Sequence, residues 1–351
     1  MRPMLAACIV LLAGALHAQD AAPTVTADGS VHAGSITLPY SSAASPEARA
    51  FFPRMLAAGS KAPPITAPIE QSRRFYDRMN TDRANRMMAL YPVKTRRETI
   101  AGVVTDVVEP AQGVSPGNKG RVLINLHGGA FLWGAHSGGL VESIPIASLG
   151  RIKVISVDYR QGPEHVFPAA SEDVEAVYRE LLKHYQPTAI GIYGCSAGGV
   201  LTGEAVARLI DRKLPVPGAI GTFCGSVVDM DGDSAYVAPL LNGALPPGHP
   251  LRLVDLSYFK GVRADDPMVF PGASPQLLAH FPPTLLITGT RDMAMSSVIR
   301  GQTLLSQAGV VTELHVWEGM WHSFFSDPDM PESRAAYETI VRFFDQHLSR
   351  A

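Results

Sequence analysis

Residues 189–201 read Ala189-Ile190-Gly191-Ile192-Tyr193-Gly194-Cys195-Ser196-Ala197-Gly198-Gly199-Val200-Leu201. A short apolar run predicts a strand over 189–193, and a second predicts a helix over 198–210. The turn between them has the pattern G-x-S-x-G. Glycines on both sides of Ser196 let the backbone turn sharply, so the hydroxyl projects above the strand end. The helix that follows brings its first amides and the positive end of its dipole to the same place. Ser196 is therefore a candidate nucleophile. The motif alone says little, because glycine-rich strand-to-helix turns are common, and its weight depends on what surrounds it.

Upstream, an apolar strand over 121–126 runs into His127-Gly128-Gly129-Ala130-Phe131. Glycines after a strand let backbone N–H groups approach an anion closely, as well as making an ordinary tight turn. Downstream, a strand over 284–288 leads to Asp292, and a strand over 312–317 leads to His322. Asp292 alone could cap the next helix, and His322 alone could be a surface residue. In the order Ser196, Asp292, His322, each just past a strand, they form a candidate catalytic set.

Further strands are predicted over 102–108, 153–159 and 218–223, and further helices over 171–185, 296–307 and 331–347. This alternation predicts an α/β fold with a mainly parallel sheet covered by helices on both faces. Residues 69–90 carry apolar side chains at roughly helical spacing (Phe75, Met79, Met87, Met88, Leu90) and are expected to form a covering helix. Residues 229–283 break the rhythm. Rich in Pro, Gly and Leu, they are read as a lid inserted above the strand ends. The domain is expected to run over 66–351, after a loosely ordered leader over 19–65 that is rich in Ala, Pro, Ser and Thr.

The chain has 351 residues, 46% hydrophobic and 18% charged, with a net charge of -2. Such a chain can bury a large core, and its near-neutral charge gives no reason to expect nucleic acid or an anionic membrane as partner. The start reads as an export signal over residues 1–18: Arg2, an apolar run over 5–16 too short to span a bilayer, then Leu16-His17-Ala18 before Gln19. No stable membrane insertion is expected, and the mature chain is expected in the periplasm or outside the cell. Cys195 and Cys224, the cysteines left after cleavage at that point, are read as buried thiols. No metal spacing such as H-E-x-x-H occurs.

At this point the sequence resembles the hormone-sensitive lipase group of α/β hydrolases. Its H-G-G-G pattern appears as His127-Gly128-Gly129-Ala130, and its G-D-S-A-G-G pattern as Gly194-Cys195-Ser196-Ala197-Gly198-Gly199. Its D-Y-R-L-A-P-E-H segment appears as Asp158-Tyr159-Arg160-Gln161-Gly162-Pro163-Glu164-His165, followed by Phe167-Pro168-Ala169-Ala170. The resemblance runs from about Val122 to the C-terminus. It implies the α/β-hydrolase fold with an N-terminal helical cap, which fits residues 69–90. It also implies a carboxylesterase-type activity on a small-molecule ester, with Ser196, Asp292 and His322 as triad and no cofactor or metal. Gly128, Gly129 and Ala197 are expected to donate the oxyanion-hole amides, while Phe131, Trp133 and the Leu-rich lid line an apolar pocket. Three departures stand out: Ala130 for a glycine, Cys195 for the usual Asp, and Met293-Ala294-Met295 after Asp292, which leaves Asp292 the sole acid there. A non-hydrolytic ligand-binding relative and a serine peptidase of the same fold stay open as alternatives, as does a homodimer.

Overall fold

The computed structural model describes residues 24–25, 31–32, 39–244 and 248–350. The expected signal segment lies outside them. The chain divides into two compact units, 1–40 and 41–351. In the first, Thr24–Val25 pairs antiparallel with Val31–His32.

The second unit is built on an eight-stranded sheet. Its strands are β1 (Val93–Ile100), β2 (Val103–Pro110), β3 (Val122–Leu126), β4 (Lys153–Val157), β5 (Ile190–Cys195), β6 (Ala219–Phe223), β7 (Thr284–Arg291) and β8 (Thr312–Trp321). Their order is β8-β7-β6-β5-β3-β4-β2-β1. The pairs β1/β2 and β2/β4 are antiparallel, and all the others are parallel. β3, β5 and β6 are buried along their whole length, as parallel strands covered on both faces must be. Sequence reading misses β1. It is an edge strand with Lys94, Thr95, Arg96 and Arg97 exposed, so its composition reads as a solvated loop. Ala101 and Gly102, both at positive φ (50° and 84°), close its hairpin with β2.

The helices are α1 (Pro46–Gly59), α2 (Ile69–Leu90), α3 (Ser137–Gly150), α4 (Ala169–Leu181), α5 (Ala197–Asp211), α6 (Asp233–Leu241), α7 (Pro275–Leu278), α8 (Met295–Gln307) and α9 (Pro331–His347). Alternation along β5 divides them between the two faces. Gly191 and Tyr193 face Phe344 of α9. Ile190 and Ile192 join the core cluster that holds Val174 and Val177 of α4 and Leu201, Val206 and Leu209 of α5.

Two expectations are corrected. The stretch read as a loosely ordered leader contains the 14-residue helix α1. Ser45 caps it by accepting from the Ala48 amide, Pro46 opens it, and Glu332 accepts from both the amide and the hydroxyl of Ser45. Phe51 and Phe52 then pack on Trp321. The insertion over 229–283 is anchored in the core rather than spread over the site as a lid: Leu253, Leu256, Tyr258, Phe259, Val269, Phe270, Leu278 and Phe281 are all buried, while much of the rest is exposed or half-buried. The Asp229 carboxylate ties its start to its middle by accepting from the Met230 and Leu253 amides and from Arg252. Its leucines bury apolar area, and a run of leucines does not by itself distinguish a roof from a filled core.

Candidate active site

The residues singled out above meet at the C-terminal ends of the parallel strands. β5 ends at Cys195, and Ser196 follows with φ 58° and ψ -120° before α5 begins. A non-glycine residue in this region is strained, and such strain persists only where its surroundings enforce it. The flanking glycines are needed for space. A Cβ on Gly194 would lie 2.2 Å from the Leu126 carbonyl oxygen, and one on Gly198 would lie 1.7 Å from the same atom. The end of β3 is thus packed directly against the turn, and the Ser196 amide donates to the Phe223 carbonyl on the other side (2.7 Å).

Asp292 and His322 arrive from neighbouring strands. β7 and β8 run in parallel register to Gly289 and Trp317, and the next pair is Arg291 with Trp321, so β8 carries two extra residues. This irregularity advances His322 to meet Asp292. Gly289 permits it, since a Cβ there would fall 2.2 Å from the Met320 carbonyl oxygen. Ser196 Oγ then lies 2.8 Å from His322 Nε2, and His322 Nδ1 lies 2.6 Å from Asp292 Oδ1. Asp292 is fully buried and also accepts from Thr288 Oγ1 and the Ala294 amide, each at 2.8 Å. Glu318, the other acid near His322 in sequence, is exposed.

The electrostatics follow from this chain of bonds. Burial alone would lower the His322 pKa, but the charge of Asp292 and its hydrogen bond outweigh that and raise it above the usual 6.5. Burial alone would raise Asp292. The His322 charge and the hydrogen bonds from His322, Ala294 and Thr288 hold it below its ordinary 3.8 instead. The pair can therefore keep a carboxylate beside an imidazole that takes up a proton readily.

The loop after β3 differs from expectation. The Gly128 amide donates to Glu142 Oε1 (2.8 Å), so it is not free for an oxyanion. The amides of Gly129, Ala130 and Ala197 have no protein acceptor among the described residues. Gly129 and Ala130 both sit at positive φ, 123° and 54°, on the wall of the same cavity as Ser196. Of the three expected donors, Gly129 and Ala197 keep a free amide and Gly128 does not, because the partner that takes the Gly128 amide comes from α3. His127 is buried, stacks on Tyr159 and places Nδ1 2.8 Å from the Gly128 carbonyl oxygen; burial holds its pKa down.

The cavity above Ser196 measures about 1090 Å³. Phe51 and Met55 of α1, Phe75, Tyr76 and Met79 of α2, and Trp133 and Trp321 give it an apolar wall; from the insertion over 229–283, Leu251 alone of the described residues reaches it. Trp133 stacks on Tyr76 with ring centroids 4.5 Å apart. Phe131, expected beside it, is instead core. It is fully buried against Tyr258 and Phe259, because its own positive φ of 58° turns it away from the cavity. Sequence reading also missed Glu142, whose carboxylate accepts from Gly128, from Asn125 Nδ2 (3.0 Å) and from the Cys195 amide (3.2 Å). Burial pushes its pKa up to about 7 against those three hydrogen bonds. Its one legible signal is an isolated charge in the apolar run Val141-Glu142-Ser143-Ile144.

Cys195 and Cys224 are free and buried, and burial raises both thiols. Cys195 Sγ lies 2.9 Å from Ser323 Oγ, and Cys224 Sγ accepts from the Ser323 amide (3.3 Å). Cys224, Asp292 and His322 bring one ligand atom each within 4.8 Å of one another. Asp292 and His322 are already hydrogen bonded, and the thiol is neutral, so this donor set suits a proton relay better than a cation.

Residues 123–326 match a family described as having the alpha/beta hydrolase fold, and the chain belongs to it. Within that family it is hormone-sensitive lipase-like. An acetyl-hydrolase of Streptomyces hygroscopicus is 29% identical over 249 residues, 70% of this chain and 80% of its own. An esterase of Acinetobacter venetianus is 28% identical over 232 residues, 64% of this chain and 74% of its own. Among solved structures, an esterase E25 superposes with a TM-score of 0.80 at 32% identity, over 91% of this chain and 99% of that one. An esterase of the bacterial hormone-sensitive lipase family superposes with a TM-score of 0.75 at 26% identity, over 87% and 99%.

Proposed function

We propose that this ester-hydrolysing enzyme works through a Ser196–His322–Asp292 triad and an acyl-enzyme, on small carboxylic esters or lactones with short-to-medium acyl groups. The observation that carries the reading is the unbroken hydrogen-bonded chain from Ser196 to Asp292 on the wall of a cavity with a largely apolar lining. His322 takes the Ser196 proton as the hydroxyl attacks the carbonyl carbon. Asp292 orients the imidazole and stabilises its charged form. The amides of Gly129, Ala130 and Ala197 receive the developing oxyanion, each worth roughly 2.7–4 kcal/mol. His322 returns the proton to the leaving alcohol. Water, activated by the same imidazole, then releases the acid.

The acetyl-hydrolase and esterase relatives support an ester substrate over a peptide. The intact triad argues against a purely ligand-binding protein. The basic start and short apolar run of residues 1–18 support an exported enzyme, which an intact mass of mature protein beginning at Gln19 checks. No helix among the described residues is long and apolar enough to cross a membrane.

The test is hydrolysis of nitrophenyl esters from acetyl to decanoyl by the wild type and Ser196→Ala. Loss of turnover across the series in the variant is expected. Equal rates in both would remove Ser196 from the mechanism, and no turnover by either would favour ligand binding without hydrolysis.

A further inference from the structure

We propose that Glu142 is the positioning residue of the oxyanion loop, its one carboxylate tying the amide of Gly128 to the amide of Cys195. The inference rests on the reading of Ser196 as nucleophile and adds to it a residue from a third element, α3. Oε1 accepts from Gly128 (2.8 Å), while Oε2 accepts from Cys195 (3.2 Å) and from Asn125 Nδ2 (3.0 Å). Asn125 is itself fixed, accepting at Oδ1 from Ser156 Oγ (2.8 Å). Three N–H donors converge on the carboxylate from the end of β3, the loop after it and the residue before Ser196. These donors call for an ionised acceptor, since none of them could receive a carboxylic proton.

The tie matters because the two segments touch. A Cβ on Gly128 would lie 2.9 Å from the Cys195 carbonyl oxygen and 3.3 Å from Ser196 Cβ. Holding the Gly128 N–H fixes one end of that residue, and the amides of Gly129 and Ala130 follow directly from it. A shift of about 1 Å in such a constellation costs on the order of 10²-fold in rate. The residue beside Ser196 cannot replace the tie, because Cys195 offers no carboxylate and its thiol is turned toward Ser323. Glu142 donates nothing to the triad and receives nothing from it. Its effect on catalysis passes through the amides alone.

The experiment compares wild type, Glu142→Ala, Glu142→Gln and Ser196→Ala on one nitrophenyl ester, with an alkylboronic acid as inhibitor. The tetrahedral boronate places an oxygen anion on the same amides, so its affinity reads the geometry of the hole without turnover. Glu142→Ala should lower kcat on the order of 10²-fold with little change in KM. Boronate affinity should fall by the factor lost from kcat/KM. Glu142→Gln should fall between, since one oxygen still accepts from Gly128 while its NH₂ opposes the other donors. Because it is nearly isosteric, it carries the test if the alanine variant does not fold. Wild-type kcat and boronate affinity in Glu142→Gln would overturn the proposal, as would a loss confined to KM, which would make Glu142 only a wall of the cavity. Retained activity in Ser196→Ala would instead defeat the nucleophile reading, and that result is visible separately.

Discussion

At the strand ends, Asp292 is sealed from solvent and receives His322, Thr288 and the Ala294 amide. Across the cavity, α2 is held from outside, by guanidinium groups that remain partly exposed. Arg73 donates to both Glu164 oxygens at 2.7 Å and to the Leu132 and Gly162 carbonyls. Near the other end, Arg83 forms a two-pronged pair with Asp327 at 3.1 and 3.0 Å. Buried, fully satisfied polar groups fix geometry to fractions of an ångström. Ion pairs whose guanidinium groups reach solvent fix an element less tightly, even where, as at Asp327, the carboxylate is buried. On the proposed mechanism the chemistry rests on the sealed half, while α2 supplies part of the cavity wall above it.

That contrast breaks most sharply at Asp292. Asp292→Asn should lower kcat by on the order of 10⁴-fold, because the amide can no longer hold the imidazole in the tautomer that accepts from Ser196. The pH profile should move with it. On the proposed mechanism His322 must be neutral to act, and its pKa is raised above 6.5. Activity therefore rises with pH through that higher value, while the stability contributed by charged His322 is full below 6.5 and is lost as pH rises through the folded value. Removing the Asp292 charge should bring the acid limb to lower pH. A wild-type profile in the variant would mean that another group holds His322.

On the cavity side the effects are smaller and of another kind. Trp133→Ala removes the ring stacked on Tyr76. It should raise KM on the order of tenfold for longer acyl esters and barely change kcat for acetyl esters. Phe131→Ala, two residues away, should instead cost about 3–5 kcal/mol of stability measured by chemical denaturation, because its ring fills the core. If both variants behaved alike, the division between cavity and core at this turn would be wrong. Smallest is Arg83→Met, which leaves the buried Asp327 carboxylate with only its longer contact to Arg86 (3.4 Å) and with Asp329 nearby on the same guanidinium. A loss of about 1–3 kcal/mol is expected, with kcat on acetyl esters unchanged.

The same contrast explains what the sequence could tell. Ser196, Asp292 and His322 were legible because each sits in a short local signal at a strand end, and parallel strands bring their ends together. Of the expected oxyanion donors only Gly128 is taken away, because its amide is claimed by Glu142 from a distant helix, which no pattern around His127 records. Phe131 and Trp133 looked alike in sequence and point opposite ways, since a run of positive φ at Gly129, Ala130 and Phe131 reverses the usual direction. α1 was hidden by its composition: alanine favours a helix, but the surrounding Pro, Ser and Thr read as a linker, and the contact with Trp321 that holds it is tertiary.

The central claim is that Ser196 itself forms the covalent intermediate. The most direct measurement is to inactivate the enzyme with a nitrophenyl alkylphosphonate, which leaves a stable adduct on an attacking serine, and to locate that adduct by peptide mass spectrometry. One phosphonyl group per chain, on the peptide that carries Ser196, formed in step with the loss of esterase activity, is the expected result. Full inactivation with the label on another residue, or with no label at all, would contradict the account.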